Sequence, residues 1–410
     1  MFKKNIFLKI RKIFPILKKK INNKSIIYFD NATTTHKPYI LIKKIKNYYF
    51  NYNSNINRSN NYLSEKTNFY IKKCRIIIKK FINASSSKEI IFTKGTTESI
   101  NLLANILKYK LKKNDEIIIT ILEHHSNFIP WQILCKKKKI KLIILKIKNN
   151  YNISLNELKN KINKKTKIIS ITHVSNVFGT ILPIKKIVNI IKNNNNKTII
   201  ILDGAQSIAH IPINVKKLNI DFYTFSAHKI YGPTGLGILY GKQNILNNLS
   251  PYQYGGSMVK NVDKKKNKYL KIPYKYEAGT LNTSSIYSFI YIINFIKKIN
   301  ILNIQKYENF LIKYTKKLLL KNKNIILYSN NNIKNSSILS FNIKNINHID
   351  INYFLNYYNI FIRNGNHCAQ PLIKYLNLDG TLRISFGIYN NIEEINKFYF
   401  FLLKIIKKII

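Results

Sequence analysis

Thr198-Ile199-Ile200-Ile201-Leu202-Asp203-Gly204-Ala205-Gln206, followed by Phe222-Tyr223-Thr224-Phe225-Ser226-Ala227-His228-Lys229, decides the reading of this chain. Each half is a short run of apolar and β-favouring residues that stops abruptly at polar ones. Such a run suits a strand buried on both faces, with the polar residues just past its carboxyl end. Working outward, Glu89 to Thr93, Glu116 to Ile121, Lys141 to Leu145 and Lys167 to Thr172 have the same form, as do Thr198 to Leu202 and Phe222 to Ser226. Lysine-striped helical stretches separate them. Alternation of this kind predicts parallel βα units and the α/β class, a sheet covered by helices. In an open α/β sheet the ligand lies outside the carboxyl ends of the strands. The positions to interrogate are therefore Gly95-Thr96-Thr97-Glu98, Glu123-His124-His125, His173-Val174-Ser175-Asn176, Asp203 to Gln206 and Ser226 to Lys229.

With 410 residues and 45% of them hydrophobic, the chain can bury a large core in two or three structural units, which excludes a disordered polycation. The formal charge of 70 − 17 = +53 would ordinarily suggest a nucleic-acid partner. Here lysine is accompanied by heavy use of Asn, Ile and 28 Tyr in every segment, so the charge reads as compositional bias, with no specific nucleic-acid partner expected. Cys74, Cys135 and Cys368 lie far apart and form no metal or redox pair, which fits a reducing, cytoplasmic setting. The apolar stretch Tyr287 to Ile296 is too short to span a bilayer, so no membrane is expected. The basic first twenty residues admit a transit peptide, but Ile10 to Leu17 has helical spacing and leads into a strand at Ser25 to Phe29. Beyond residue 296 the texture changes to helices and polar runs such as Ser329 to Asn335, followed by Ile338 to Asn342 and a terminal helix, which suggests a smaller second domain.

Most lysines in so basic a chain are solvated surface. Lys229 differs because it follows a strand among small and hydroxyl residues, where an amine can bond covalently to a carbonyl cofactor. Asp203 is delivered to the same rim, where a carboxylate can hold a pyridinium nitrogen protonated and let pyridoxal phosphate act as an electron sink. Gly95 to Glu98 opens the helix that begins near Ser99, an arrangement that favours an anion. His124 can stack on a planar ring and exchange protons. The Glu123-His124-His125 run lacks the spacing of a zinc helix, and no metal is expected.

These strings, with Tyr28-Phe29-Asp30-Asn31-Ala32, Glu277-Ala278-Gly279-Thr280 and Arg363-Asn364-Gly365-Asn366-His367-Cys368-Ala369, resemble the group II cysteine desulfurases of the SufS type, within the class V, fold-type I pyridoxal-phosphate enzymes. The resemblance runs from about Ile10 to the final helix. It implies a large domain over residues 23–296 with a mostly parallel seven-stranded sheet, and a small α+β domain built from residues 1–22 with 297–410. Lys229 would hold pyridoxal 5'-phosphate covalently, Asp203 would pair with the ring nitrogen, Gln206 would contact the ring hydroxyl and His124 would stack on the ring. Thr97, Ser226 and His228 would hold the phosphate, with Thr280 supplied by the neighbouring subunit of a homodimer. Asn176 and Arg383 would orient the substrate carboxylate, and Glu98 would lie behind the site.

The Cys368 thiolate would take sulfur from L-cysteine and release alanine, with Arg363 and His367 close enough in sequence to stabilise it. Cys74 and Cys135, in helical stretches, read as buried structural residues. The persulfide would pass to a SufE-like or SufU-like acceptor for iron–sulfur cluster assembly on a SUF scaffold.

The chain departs from the family pattern at Asn57 and Asn61, which stand where histidines are usual, and at Asn364 and Asn366 in the cysteine loop. Arg58 persists as a candidate substrate or interface residue. Asparagine keeps hydrogen-bonding capacity but loses the titratable proton, so the pH profile and partner interface are affected before the core reaction is. An alternative within the same fold is a selenocysteine lyase acting on L-selenocysteine, or another class V enzyme. The alternative from a different class is a basic nucleic-acid-binding protein on the inherited scaffold, which the combined lysine, aspartate, histidine and cysteine set disfavours.

Overall fold

The computed structural model describes residues 4–56, 61–148, 151–329 and 335–409. Seven strands form the central sheet: β1 (Ile90–Thr93), β2 (Glu116–Thr120), β3 (Lys141–Leu145), β4 (Thr166–Thr172), β5 (Ile199–Asp203), β6 (Phe222–Ser226) and β7 (Gly237–Gly241). Their order is β1-β7-β6-β5-β4-β2-β3. From β3 through β6 every neighbouring pair is parallel, while β7 runs antiparallel to both β6 and β1. All six strands read from the sequence are present, with ends shifted by a residue at four of them. Glu89 closes a 3-10 turn before β1, and β5 begins after Thr198 and includes Asp203.

Strand periodicity sorts the core. In β2, Ile118 packs into one hydrophobic cluster, whereas Ile117 and Ile119 belong to the cluster on the opposite face. Ile200 and Leu202 in β5 lie with Ile118, and Ile201 between them lies with Ile117. A side-chain period of two gives each face its own isoleucine layer, and helices must cover both. Two helices on the Ile117 side matter for the site: α1 (Thr96–Leu107), which follows β1, and α2 (His125–Lys138), which follows β2. They pack Leu103, Trp131 and Cys135 onto the sheet. Cys74 and Cys135 are both buried, as their sequence setting predicts.

A second sheet has four antiparallel strands, β8 (Ile325–Leu327), β9 (Ile338–Ile343), β10 (Arg363–Gly365) and β11 (Thr381–Ser385), in the order β8-β9-β11-β10. The terminal helix Ile392–Ile409 contributes Phe398 and Leu402 to the core beneath it. Residues 27–30 reach this region directly: Ile27 and Tyr28 pair in parallel with Ile360 and Phe361, and Asp30 bridges to Ser385. This crossing brings Asp30 to Thr35 beside both the β6 rim and the cysteine loop.

The first helix differs from the expectation. It spans Lys4–Arg11, and Pro15 then opens a short 3-10 turn, Pro15–Lys18. Proline has no N–H to donate and suits only the start of a turn, so the periodicity of Ile10 to Leu17 could not be one helix. Asn193 and Asn194 complete the helix Ile184–Asn194, and the helix predicted near Ser99 starts earlier, at Thr96. Most of the polar run Ser329 to Asn335 lies outside the described residues. Among the described residues, no single helix is long and apolar enough to cross a membrane.

Candidate active site

The carboxyl ends of β1, β2, β4, β5 and β6 converge on one rim, and the cysteine loop closes over it. At the end of β6, Lys229 is partly buried, and its amine makes no hydrogen bond or ion pair among the described residues. Burial pushes this amine down to about 8, with Arg383 and Arg363 acting in the same direction and Asp203 and Cys368 opposing them. Asp203 at the end of β5 is 4% exposed, and burial raises its carboxyl above the usual range even though it accepts the Ala205 N–H at 2.9 Å.

Gly95 precedes α1, and no side chain caps that helix. A Cβ on Gly237 would lie 2.4 Å from the Gly95 Cα, so the close approach of β7 to this turn requires glycine at residue 237. Ser226 Oγ accepts the Thr96 N–H at 2.9 Å and lies 2.9 Å from the Thr96 hydroxyl. The neighbouring Thr97 instead meets Ser126 Oγ at 2.7 Å. Glu98 accepts the Lys94 N–H and the Tyr252 hydroxyl, which ties it to the start of α1.

His124 caps α2, its Nδ1 accepting the Ser126 N–H at 3.1 Å, which places the ring proton on Nε2. Burial, reinforced by Lys229, pushes its imidazole down to about 3, so the ring is neutral throughout the physiological range. Behind it, Glu123 is fully enclosed and accepts from Thr120 Oγ at 2.5 Å, Asn127 Nδ2 at 2.6 Å and the Thr172 N–H at 3.1 Å. Burial raises this carboxyl to about 8. The buried bonds of Glu123 fix the turn on which His124 stands.

Gln206 donates its amide to the Ala32 carbonyl at 2.7 Å. His228 turns its Nδ1 to Thr34 Oγ1 at 3.2 Å, and burial pushes its ring down to about 4. The His228 carbonyl, one residue before Lys229, accepts from Thr35 Oγ1 at 2.9 Å and from the buried Lys37 amine at 2.9 Å. Thr280 is exposed, and Arg58 and Asn57 lie outside the described residues.

Cys368 is partly exposed in a loop where both His367 (φ 51°) and Cys368 (φ 55°) adopt the left-handed conformation. Two successive non-glycine residues in that region need outside support. It comes from the His125 N–H to the Cys368 carbonyl at 2.8 Å, from Asn176 Nδ2 to the His367 carbonyl at 2.7 Å, and from His367 Nε2 to Thr381 Oγ1 at 2.8 Å. His367 is thereby turned into the core, and burial holds its ring well below the usual histidine range. A neutral, inward-facing ring does not stabilise a thiolate, which corrects that expectation. The cation near the sulfur is Arg363, with Nη2 3.9 Å from Cys368 Sγ.

Arg383 is 2% exposed, pairs with Asp30 at 2.9 Å and donates to the Asn176 carbonyl at 2.9 Å. The structure therefore gathers Lys229, Asp203, His124, Asn176, Arg363, Arg383 and Cys368 around one cleft. It adds His125, Asp30, Thr33 and Thr96, whose roles the sequence reading did not single out. Asp30 and Thr96 stood inside motifs that carried a signal, but no spacing in the sequence reveals their partners.

Because only a neutral amine attacks an aldehyde, capture of an aldehyde cofactor by Lys229 should speed up as pH rises and level off above about 8. Stopped-flow measurement of that capture by the cofactor-free chain, between pH 6 and pH 10 by about half-unit steps, checks this. A plateau reached only near the ordinary lysine value would contradict the depressed amine.

The model of the family described as Aminotransferase class-V matches residues 27–398. A cysteine desulfurase of Wigglesworthia glossinidia brevipalpis is 41% identical over 400 residues, covering 97% of each chain. A probable cysteine desulfurase of Borreliella burgdorferi is 40% identical over 98% of this chain and 96% of its own. Among solved structures, the apo cysteine desulfurase of Thermococcus onnurineus NA1 superposes with a TM-score of 0.93 at 33% identity, covering 100% of this chain and 99% of its own. The Escherichia coli cysteine desulfurase CsdA, in its S-sulfonic acid form, gives 0.91 at 29% identity over 98% of both chains.

Proposed function

Because the chain belongs to the aminotransferase class-V family, and within it to the pyridoxal-phosphate-dependent cysteine desulfurases, we propose that the cleft between β6 and the cysteine loop converts L-cysteine to L-alanine and leaves a persulfide on Cys368. The observation that carries this reading is the convergence of an unpartnered lysine amine, a buried carboxylate and a partly exposed cysteine beside two arginines.

The residues present fit the cofactor. Lys229 has a free amine for its aldehyde, Asp203 offers a buried carboxylate for its ring nitrogen, and the uncapped N-terminus of α1 with Thr96, Ser226 and Thr97 suits its phosphate. Neutral His228 can add an N–H there, and Thr280 can do so from a second subunit. His124 would stack on the ring, and Gln206 would meet the ring hydroxyl. When bound, pyridoxal phosphate withdraws electrons from the bonds at the substrate α-carbon.

Arg383, aided by Asn176, holds the substrate carboxylate, a task suited to a planar guanidinium. Lys229 accepts the α-proton and returns a proton to carbon. Neutral His124 keeps a donor on Nε2 without adding a positive charge beside Lys229. Cys368 attacks the substrate sulfur as a thiolate held near Arg363. A sulfur–sulfur bond forms as the carbon–sulfur bond breaks, and the hydrogen from the substrate thiol ends on the methyl group of alanine.

The same reading assigns residues 23–296 to cofactor binding, and residues 1–22 with 297–410 to carriage of the cysteine loop. It places the enzyme in the cytoplasm as a homodimer of the group II type, passing sulfur to a SufE-like or SufU-like acceptor for iron–sulfur cluster assembly. Incubating the cofactor-loaded chain with L-cysteine and dithiothreitol should release alanine and sulfide in equal amounts. No alanine from fully loaded protein would refute the assignment.

A further inference from the structure

Thr33 stands where the two guanidinium groups meet. Its hydroxyl donates to Asp30 Oδ1 at 2.7 Å and accepts from Arg363 Nη1 at 2.8 Å and from Arg383 Nη2 at 3.0 Å. A hydroxyl has one proton and two lone pairs, so these three bonds use its whole capacity. Arg383 Nη2 also donates to Asp30 Oδ1 at 2.9 Å, closing the cluster into a ring. From this shared acceptor the two arginines diverge. Arg383 is buried and anchored on the Asn176 carbonyl, whereas Arg363 extends its other amino group toward Cys368 Sγ. Two guanidiniums that share one acceptor repel, and Asp30 offsets one of the two charges. The remaining single positive charge matches the single carboxylate of a monocarboxylic amino acid.

We propose that Thr33 is a positioning residue: its hydroxyl holds Arg383 toward the substrate carboxylate and Arg363 toward the Cys368 sulfur, so that both act on one bound substrate. This rests on the desulfurase reading of the site. A hydroxyl is required because a methyl group of the same size offers neither the proton for Asp30 nor the lone pairs for the arginines.

The test compares alkylation of Cys368 in the cofactor-loaded protein by iodoacetate, which carries a carboxylate, and by neutral iodoacetamide, with the modified peptide identified by mass spectrometry. In the wild type the iodoacetate-to-iodoacetamide rate ratio should exceed that of a free thiol. In Thr33→Val and Thr33→Ala it should fall roughly ten- to a hundred-fold, the loss expected for hydrogen bonds to charged groups. The iodoacetamide rate should fall by a smaller factor, the share that belongs to Arg363 at the sulfur, whereas a general disturbance of the loop would change both rates alike. KM for L-cysteine should rise by a factor similar to the fall in the ratio while kcat falls less, and Thr33→Ser should restore both readings.

An unchanged ratio and KM in both Val and Ala variants would overturn the proposal. So would a Ser variant that behaves like Val, since the methyl group and not the hydroxyl would then be the part that matters. If the wild type released no alanine from L-cysteine but the ratio still fell in Val and Ala, the desulfurase reading would fail while the positioning of the arginines by Thr33 stood.

Discussion

Cys368→Ser should lower alanine release from L-cysteine by roughly a thousand-fold or more, while the protein keeps its cofactor. A serine hydroxyl has nearly the same shape but does not ionise near neutral pH, so no nucleophile remains to take the substrate sulfur. The loop itself should survive, because its supports reach backbone atoms and His367: the His125 N–H binds the Cys368 carbonyl, Asn176 binds the His367 carbonyl and Thr381 binds the His367 ring. The other cysteines cannot substitute. Cys74 is sealed in the core, and burial pushes the Cys135 thiol up to about 11. Cys135→Ala should therefore leave alanine release essentially at the wild-type rate. Comparing steady-state alanine release by the three proteins at equal cofactor loading checks the assignment; substantial residual activity in Cys368→Ser would move the sulfur transfer elsewhere.

Lys229→Ala should be at least as severe a change. It removes both the amine that anchors the cofactor and the base that moves the α-proton, so activity should fall by roughly a thousand-fold or more. Borohydride treatment of cofactor-loaded wild type should fix the cofactor on one peptide, the one containing Lys229, and leave the variant unlabelled. Competing lysines are the obvious concern in a chain with 70 Lys plus Arg. Among the described residues, the half-buried Lys37 near this rim is pushed lower still, to about 7, but its amine is already bonded to the His228 carbonyl. Labelling of Lys37 in place of Lys229 would contradict the account.

The parts of the fold legible in the sequence were those whose signal is local. Parallel strands buried on both faces are continuous apolar runs, and β2, β5 and β6 appear within a residue of where such runs predict; the edge strand β3, only partly buried, is apolar enough to be read the same way. β7 was not legible because glycines at both of its ends, Gly237 and Gly241, leave only Ile238, Leu239 and Tyr240 to announce a strand. Its position is decided by close packing against β1 and β6, where a Cβ at Gly237 would collide with Gly95.

The site shows the same division. Lys229, Asp203 and Cys368 stand at strand ends or in a polar loop that the sequence marks. Thr33, by contrast, acquires its meaning from Arg363 and Arg383, residues more than three hundred positions away that only the crossing of residues 27–30 into the second sheet brings near. His125 likewise looked like one more rim histidine, yet its N–H holds the Cys368 carbonyl. His367 misled for the opposite reason: adjacency in sequence suggested help for the thiolate, but the left-handed turn at residues 367–368 sends its ring to Thr381.

The most direct test of the account is to expose the cofactor-loaded protein to a slight excess of L-cysteine without reductant, quench it, and map the cysteine-containing peptides by mass spectrometry. The account predicts one added sulfur atom on Cys368, none on Cys74 or Cys135, and alanine formed in equal amount. Alanine formed with Cys368 unmodified and the added sulfur on another residue, or on none, would contradict it.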